Sequence, residues 1–190
     1  ELGTALALQY RALKFLYSAL RLVLEGHAHE AMVLLRNSLE VRIVALDVGF
    51  NKKAFDLWKA AQDAKEYLIK RDGDVIDSKK LKKILKENYN INIIDDLKFW
   101  ASFRRAKENP KIQDRVNQMI RSHGEISEYT SHENIFNLVR RIDVIKNSPG
   151  REQTEVYMGY DANSNVEPFL SAIIQDLKGL LTDIQLVKGE

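Results

Sequence analysis

Apolar residues recur at helical spacing along most of the chain, and the breaks between periodic blocks fall at glycine, proline and Asx positions. The first block predicts a helix from just after Thr4 to Glu25, with Leu6, Leu13, Leu16, Leu20 and Leu24 in its core and Gly26 as a left-handed stop. The next, from His27 to Phe50, is apolar nearly all round, so a buried helix over residues 28 to 49 should return antiparallel to the first. At about 100° per residue that helix stacks His29, Arg36, Glu40 and Asp47 into one stripe. Charges in a packed interior are costly unless a neighbouring helix, another subunit or a ligand answers them.

Asn51 caps a predicted third helix that runs to about Arg71 with Phe55, Leu57, Trp58 and Leu68, and Asp72-Gly73-Asp74 ends it. A short basic helix follows Asp77-Ser78. A further stretch, from about Ile94 to Lys107, carries Leu97, Phe99, Trp100 and Phe103. Beyond Pro110 a helix starting near Lys111 keeps a four-three rhythm at Ile112, Val116, Met119, His123, Ile126 and Thr130, two of them polar. Thr130 and Glu133 match a capping box, which predicts a new helix carrying Ile135, Leu138, Val139, Ile142 and Ile145. Residues 147 to 165 are turn-rich, and only Thr154 to Tyr160 has strand composition, as one arm of a small hairpin. Pro168 then suits the first turn of a last helix built on Phe169, Leu170, Ile173, Leu177, Leu180, Leu181 and Ile184. The expected fold is an all-α antiparallel bundle of six to eight helices, one domain over residues 1 to 190.

Composition narrows the chemistry. The 29 Lys and Arg nearly cancel the 27 Asp and Glu, so charge alone selects neither nucleic acid nor an acidic partner. With no cysteine, disulfides, thiolate zinc sites and cysteine nucleophiles are excluded, which fits a reducing cytoplasm. Gln9, Arg11, Lys14, Arg21 and Glu25 interrupt the first helix, and no apolar run reaches the roughly 18 residues of a membrane span, so no membrane partner is expected. The sequence opens at Glu1 and not at methionine, in what already reads as the approach to a helix, which fits a chain preceded by a further segment.

Arg36 and Glu40 are i,i+4 neighbours, and their mutual pairing explains the stripe without any ligand. A functional reading adds His123, Tyr129 and His132, polar groups from later elements able to line the same pocket. There Arg36 would bind an anion, Glu40 would orient or deprotonate, and a histidine would shuttle a proton. Neither the paired Glu-x-x-His of di-iron bundles nor a phosphate loop, a His-Glu-x-x-His segment or a nucleophile elbow occurs, so no metal or cofactor is expected. Lys79, Lys80, Lys82, Lys83 and Lys86, joined by Arg104, Arg105, Lys107, Lys111 and Arg115, could contact phosphates; interspersed acids make a solvated face the simpler expectation.

Two segments carry a resemblance. Leu34-Leu35-Arg36-Asn37-Ser38-Leu39-Glu40, followed by Ser127-Glu128-Tyr129-Thr130-Ser131-His132-Glu133-Asn134, resembles a bacterial family of uncharacterised helical proteins with an L-R-x-x-x-E helix and a later S-E-Y/F-x-x-H segment. The resemblance implies that Arg36, Glu40, Tyr129 and His132 share a site, and it brings no activity. The plan also resembles the HEPN helical bundles, several of which cut RNA with an arginine about four to six residues ahead of a histidine. The chain is expected to depart from that pattern: seven residues separate Arg115 from His123, ten separate Arg121 from His132, and an arginine at the required distance is expected at none of the four histidines. Two functions are therefore expected candidates. One is a non-catalytic bundle whose seam binds a small anion or sets the register of a homo-oligomer; the other is a HEPN-like enzyme or defence component acting on RNA.

Overall fold

The computed structural model describes residues 1–73, 77–130, 142–146, 152–156 and 167–189. Among them are seven α-helices and one π-helical turn, arranged as an all-α bundle that carries a short hairpin. Helix α1 (Leu2–Leu24) and helix α2 (Ala28–Phe50) form the expected helical hairpin. Gly26, at φ 86°, closes it: its amide bonds the carbonyl of Val23 at 3.1 Å while that of His27 bonds Leu22 at 2.7 Å. These paired bonds satisfy carbonyls that the end of α1 would otherwise leave open.

The buried face of α1 is not the leucine stripe. It consists of Ala5, Gln9, Ala12, Leu16, Ala19 and Val23, whereas Leu13 and Leu24 are exposed and Leu6 and Leu20 lie at the margin. Alanines at seven-residue intervals let the helix backbones come close, and Gly49 of α2 meets them: a Cβ there would stand 3.2 Å from that of Ala5 and 3.4 Å from Val187. The larger leucines are carried round to the flank.

Asn51 alone separates α2 from α3 (Lys52–Asp72), and its side chain accepts the amides of Lys53 and Ala54. Gly73 ends α3 at φ 88°; Asp77 caps α4 (Ser78–Tyr89), and left-handed Asn90 ends it. Ala61, Ala64, Leu85 and Ile91 join α3 to α4 in a small core of their own. The stretch expected as one helix from Ile94 is divided: a π-helical turn spans Ile93–Leu97, extended Lys98 breaks the chain, and α5 covers Phe99–Lys107. Helix α6 (Gln113–Thr130) starts two residues later than expected, because Asn109 first accepts the amide of Lys111.

Strands β1 (Ile142–Lys146) and β2 (Glu152–Val156) pair antiparallel, Ile142 opposite Val156. Ile142 and Ile145 therefore sit in a strand and not in the helix expected from Ile135 onward, and the hairpin lies earlier than residues 154 to 160. The β-branched residues Ile142, Val144 and Ile145 suit a strand better than a helix. The remaining expectations here, a helix start at Ser131 and core positions Ile135, Leu138 and Val139, fall outside the described residues.

Helix α7 (Glu167–Lys188) completes the bundle. Ile173 and Leu180 are buried, while Leu177 and Leu181, expected in the core, are exposed. Helix α2 is central: one core joins it to α1 and α7, a second (Leu39, Ile43, Leu46, Ala106, Ile112, Val116, Met119) to α5 and α6. Burial against both sides explains why α2 has apolar residues all round. No helix among the described residues is long and apolar enough to cross a membrane.

Candidate functional site

Arg36 donates from Nε to Glu40 Oε1 at 3.0 Å, as the i,i+4 spacing predicts. His123 of α6 reaches the same oxygen, its Nε2 lying 2.9 Å away. Three of the expected site residues therefore meet across the α2–α6 interface. The His123 ring is buried, stacked on Phe99 at 5.1 Å between centroids and edge-on to Trp100 at 6.0 Å, and Ser127 Oγ lies 3.5 Å from its Nδ1. The cluster then opens outward: the Glu40 side chain is 27% exposed and that of Arg36 43%. Trp100 stands beside it with more than half its surface in solvent.

This arrangement fixes the charge of Glu40. The hydrogen bond from His123 foremost, and the Arg36 guanidinium after it, hold its carboxyl below the usual glutamate range against the opposing pull of partial burial. A carboxylate kept ionised and bonded on one oxygen is a fixed acceptor that orients two cationic or polar partners. Tyr129 belongs to α6, but its side chain, like that of His29 and like the whole of His132, lies outside the described residues.

Asp47, the last member of the stripe, is fully buried and serves a different purpose. Arg105 of α5 grips its Oδ2 through Nε at 3.0 Å and Nη2 at 2.7 Å, and Arg105 Nη1 donates to the carbonyl of Asp96. Burial pushes the Asp47 carboxyl up, and the guanidinium opposes it. The pair fastens α5 and the π-helical turn to α2.

A second ionic cluster, on another face of α2, was not anticipated. Arg42, whose side chain is 1% exposed, donates from Nε to Asp183 Oδ2 at 2.7 Å and from Nη1 to both the carbonyl and the carboxylate of Asp176. Ser38, one turn earlier, donates to Asp176 Oδ2 at 2.9 Å. From α6, Arg115 donates its Nε to the other oxygen of Asp183 at 2.6 Å and its Nη1 to Gln118. Burial raises the Asp176 carboxyl above the usual aspartate range, Arg42 pulling against it. A signal for this cluster does exist in the sequence. Asp176 and Asp183 stand seven residues apart on the buried face of an amphipathic helix, facing Ser38 and Arg42 at i,i+4.

The cluster also revises the basic patch. Arg105 and Arg115, grouped above with phosphate-binding candidates, are each paired with a buried aspartate, which leaves the α4 lysines with Arg104, Lys107 and Lys111 as the exposed basic residues of that group. One of those, Lys83, lies 4.0 Å from Glu87. Against the expectation for all four histidines, the arginine-histidine spacing of HEPN enzymes does occur at Arg21 and His27, with five residues between them. There Arg21 bonds Glu25 at 3.4 Å and His27 Nδ1 lies 4.0 Å from Glu30, so a carboxylate faces each.

Among the described residues no group of three or more His, Cys, Asp or Glu side chains is placed to hold a metal ion. No family model, curated protein or solved structure matches this chain.

Proposed function

We propose that the protein is a non-catalytic binding module whose ligand face is the Arg36–Glu40–His123 seam beside Trp100. The observation that carries this reading is the half-open Arg36: its Nε is anchored on Glu40, its side chain is 43% exposed, and among the described residues its two terminal nitrogens have no hydrogen-bond partner. A guanidinium held in this way is pre-organised for an anionic group. Exposed Trp100, edge-on to His123, offers a flat apolar face close by. The ligand class is therefore a small molecule or side chain with an anionic group next to an aromatic or apolar one. Glu40 accepts two donors on one oxygen, which makes it an orienting group for Arg36 and His123. In a Trp58→Phe background the emission of Trp100 reports the site, with phenyl phosphate as probe. Saturable quenching that Arg36→Gln weakens at least tenfold supports the reading; an unchanged titration in Arg36→Gln would overturn it.

A HEPN-like enzyme acting on RNA is the second reading, favoured by the spacing of Arg21 and His27 and by the lysines of α4. It predicts cleavage of an end-labelled single-stranded RNA that both Arg21→Ala and His27→Ala abolish. Undegraded RNA with the intact protein would remove it.

A further inference from the structure

Among the described residues three buried side-chain polar atoms lack a hydrogen-bond partner: both amide atoms of Gln9 and Arg42 Nη2. The last is the most informative. An unsatisfied buried guanidinium nitrogen is costly, so its surroundings deserve a chemical explanation. Beside it lies Gly179 of α7, where a Cβ would stand 2.7 Å from Arg42 Nη2 and would overlap Arg115 Nη2. Both η2 nitrogens therefore converge on one point over bare backbone, no more than about 5 Å from each other, a separation that a single bridging oxygen can span. Both guanidiniums are held by their Nε atoms on the two oxygens of Asp183, and Arg115 Nη1 is fixed on Gln118.

We propose that Arg42 Nη2 and Arg115 Nη2 form a clamp over Gly179 that binds one oxyanion, a phosphate or carboxylate group, entering from the α6–α7 side. Access comes from that side because the Arg115 side chain is 16% exposed and Gln118 lies at the surface, whereas Arg42 is closed off. Gly179 is what permits the clamp, since any side chain there would displace both guanidiniums. The clamp is separate from the seam around Arg36, which opens on the α2–α6 face near Trp100.

Inorganic phosphate and acetate are titrated calorimetrically at constant ionic strength, with chloride as the balancing anion. In an Arg36→Gln background, which removes the guanidinium of the seam, the expected result is saturable one-to-one binding that Arg115→Lys weakens at least tenfold and Gly179→Ala abolishes. Phosphate binding more tightly than acetate, or the reverse, supports the clamp in either case and identifies its ligand. If Gly179→Ala does not fold, Arg115→Lys carries the test alone. Absence of saturable binding in the Arg36→Gln background, or equal affinity after Arg115→Lys, would overturn the proposal.

Discussion

Arg42 and Arg36 lie less than two turns apart on α2, yet their side chains are 1% and 43% exposed. Around Arg42 two aspartates, a serine and a second arginine come from α7, α2 and α6, and the ions are buried between helices except at Arg115, whose side chain is 16% exposed. Around Arg36 one carboxylate is shared with a buried histidine, and the guanidinium tip is left at the surface. A deeply buried ion pair contributes register and penalises any slip of one helix against another, because a stranded buried charge has no water to receive it. A half-open pair is worth much less to the fold and keeps donors free for something else. The two clusters are therefore expected to respond very differently to the same kind of substitution.

The largest effect belongs to Arg42→Met. It leaves Asp176 and Asp183 facing each other in the core, with Arg115 as the remaining cation, and should destabilise by about 3–5 kcal/mol in a urea melt. A loss no greater than that of a surface substitution would mean that the cluster is not sealed in solution.

Ala12→Leu probes the close approach that seats α1 on α2 and α7. Ala12 is fully buried on the alanine face, so three added carbon atoms with nowhere to go should cost about 1–3 kcal/mol. Leu13→Ser, one residue along but exposed, should change stability by about 0.5 kcal/mol or less. If the two effects were reversed, the leucine stripe would be the buried face after all.

That α1 pair shows what was legible in the sequence and what was not. Helix boundaries followed from local chemistry: Gly26, Asn51, Gly73 and Asp77 each act within one turn of themselves, and each stands where the sequence placed it. Choosing the buried face of an amphipathic helix is a different problem, because Ala5, Ala12 and Ala19 win the interface through inter-helix distance, which a hydrophobicity pattern does not contain. The Arg36–Glu40 pair was readable because it is intrahelical, and His123 because it interrupts an apolar rhythm. Arg42 was missed for the opposite reason. Its partners lie more than 130 residues away, and a lone arginine on an apolar helix shows no local sign of them.

Smaller effects are expected at the seam. Arg36→Ala and Glu40→Ala should each cost about 1 kcal/mol, and a double-mutant cycle should give a coupling of about 0.5 kcal/mol or slightly more, since Arg36 is half in water. Strictly additive losses would show that the pair carries no energetic coupling. Coupling of several kcal/mol would show that the seam is as closed as the Arg42 cluster, and the contrast between the two would fail.

The acid limb of the stability profile provides the finest discrimination. Glu40 is held below its ordinary value of 4.5, first by the hydrogen bond from His123, so the folded state binds fewer protons there than the unfolded chain. Its contribution is complete above pH 4.5 and is lost as pH falls through the lower folded value. Asp47 and Asp176 run the other way: burial raises them above 3.8, so the folded state binds more protons, and their contribution declines as pH rises from 3.8 through the folded value. Glu40→Gln should therefore flatten the loss of stability below pH 4.5 while leaving the opposing trend of the two buried aspartates in place. Urea midpoints measured across this range would show it. A Glu40→Gln protein that still loses stability on acidification as steeply as the parent would mean that the bond from His123 does not hold Glu40 in its ionised form.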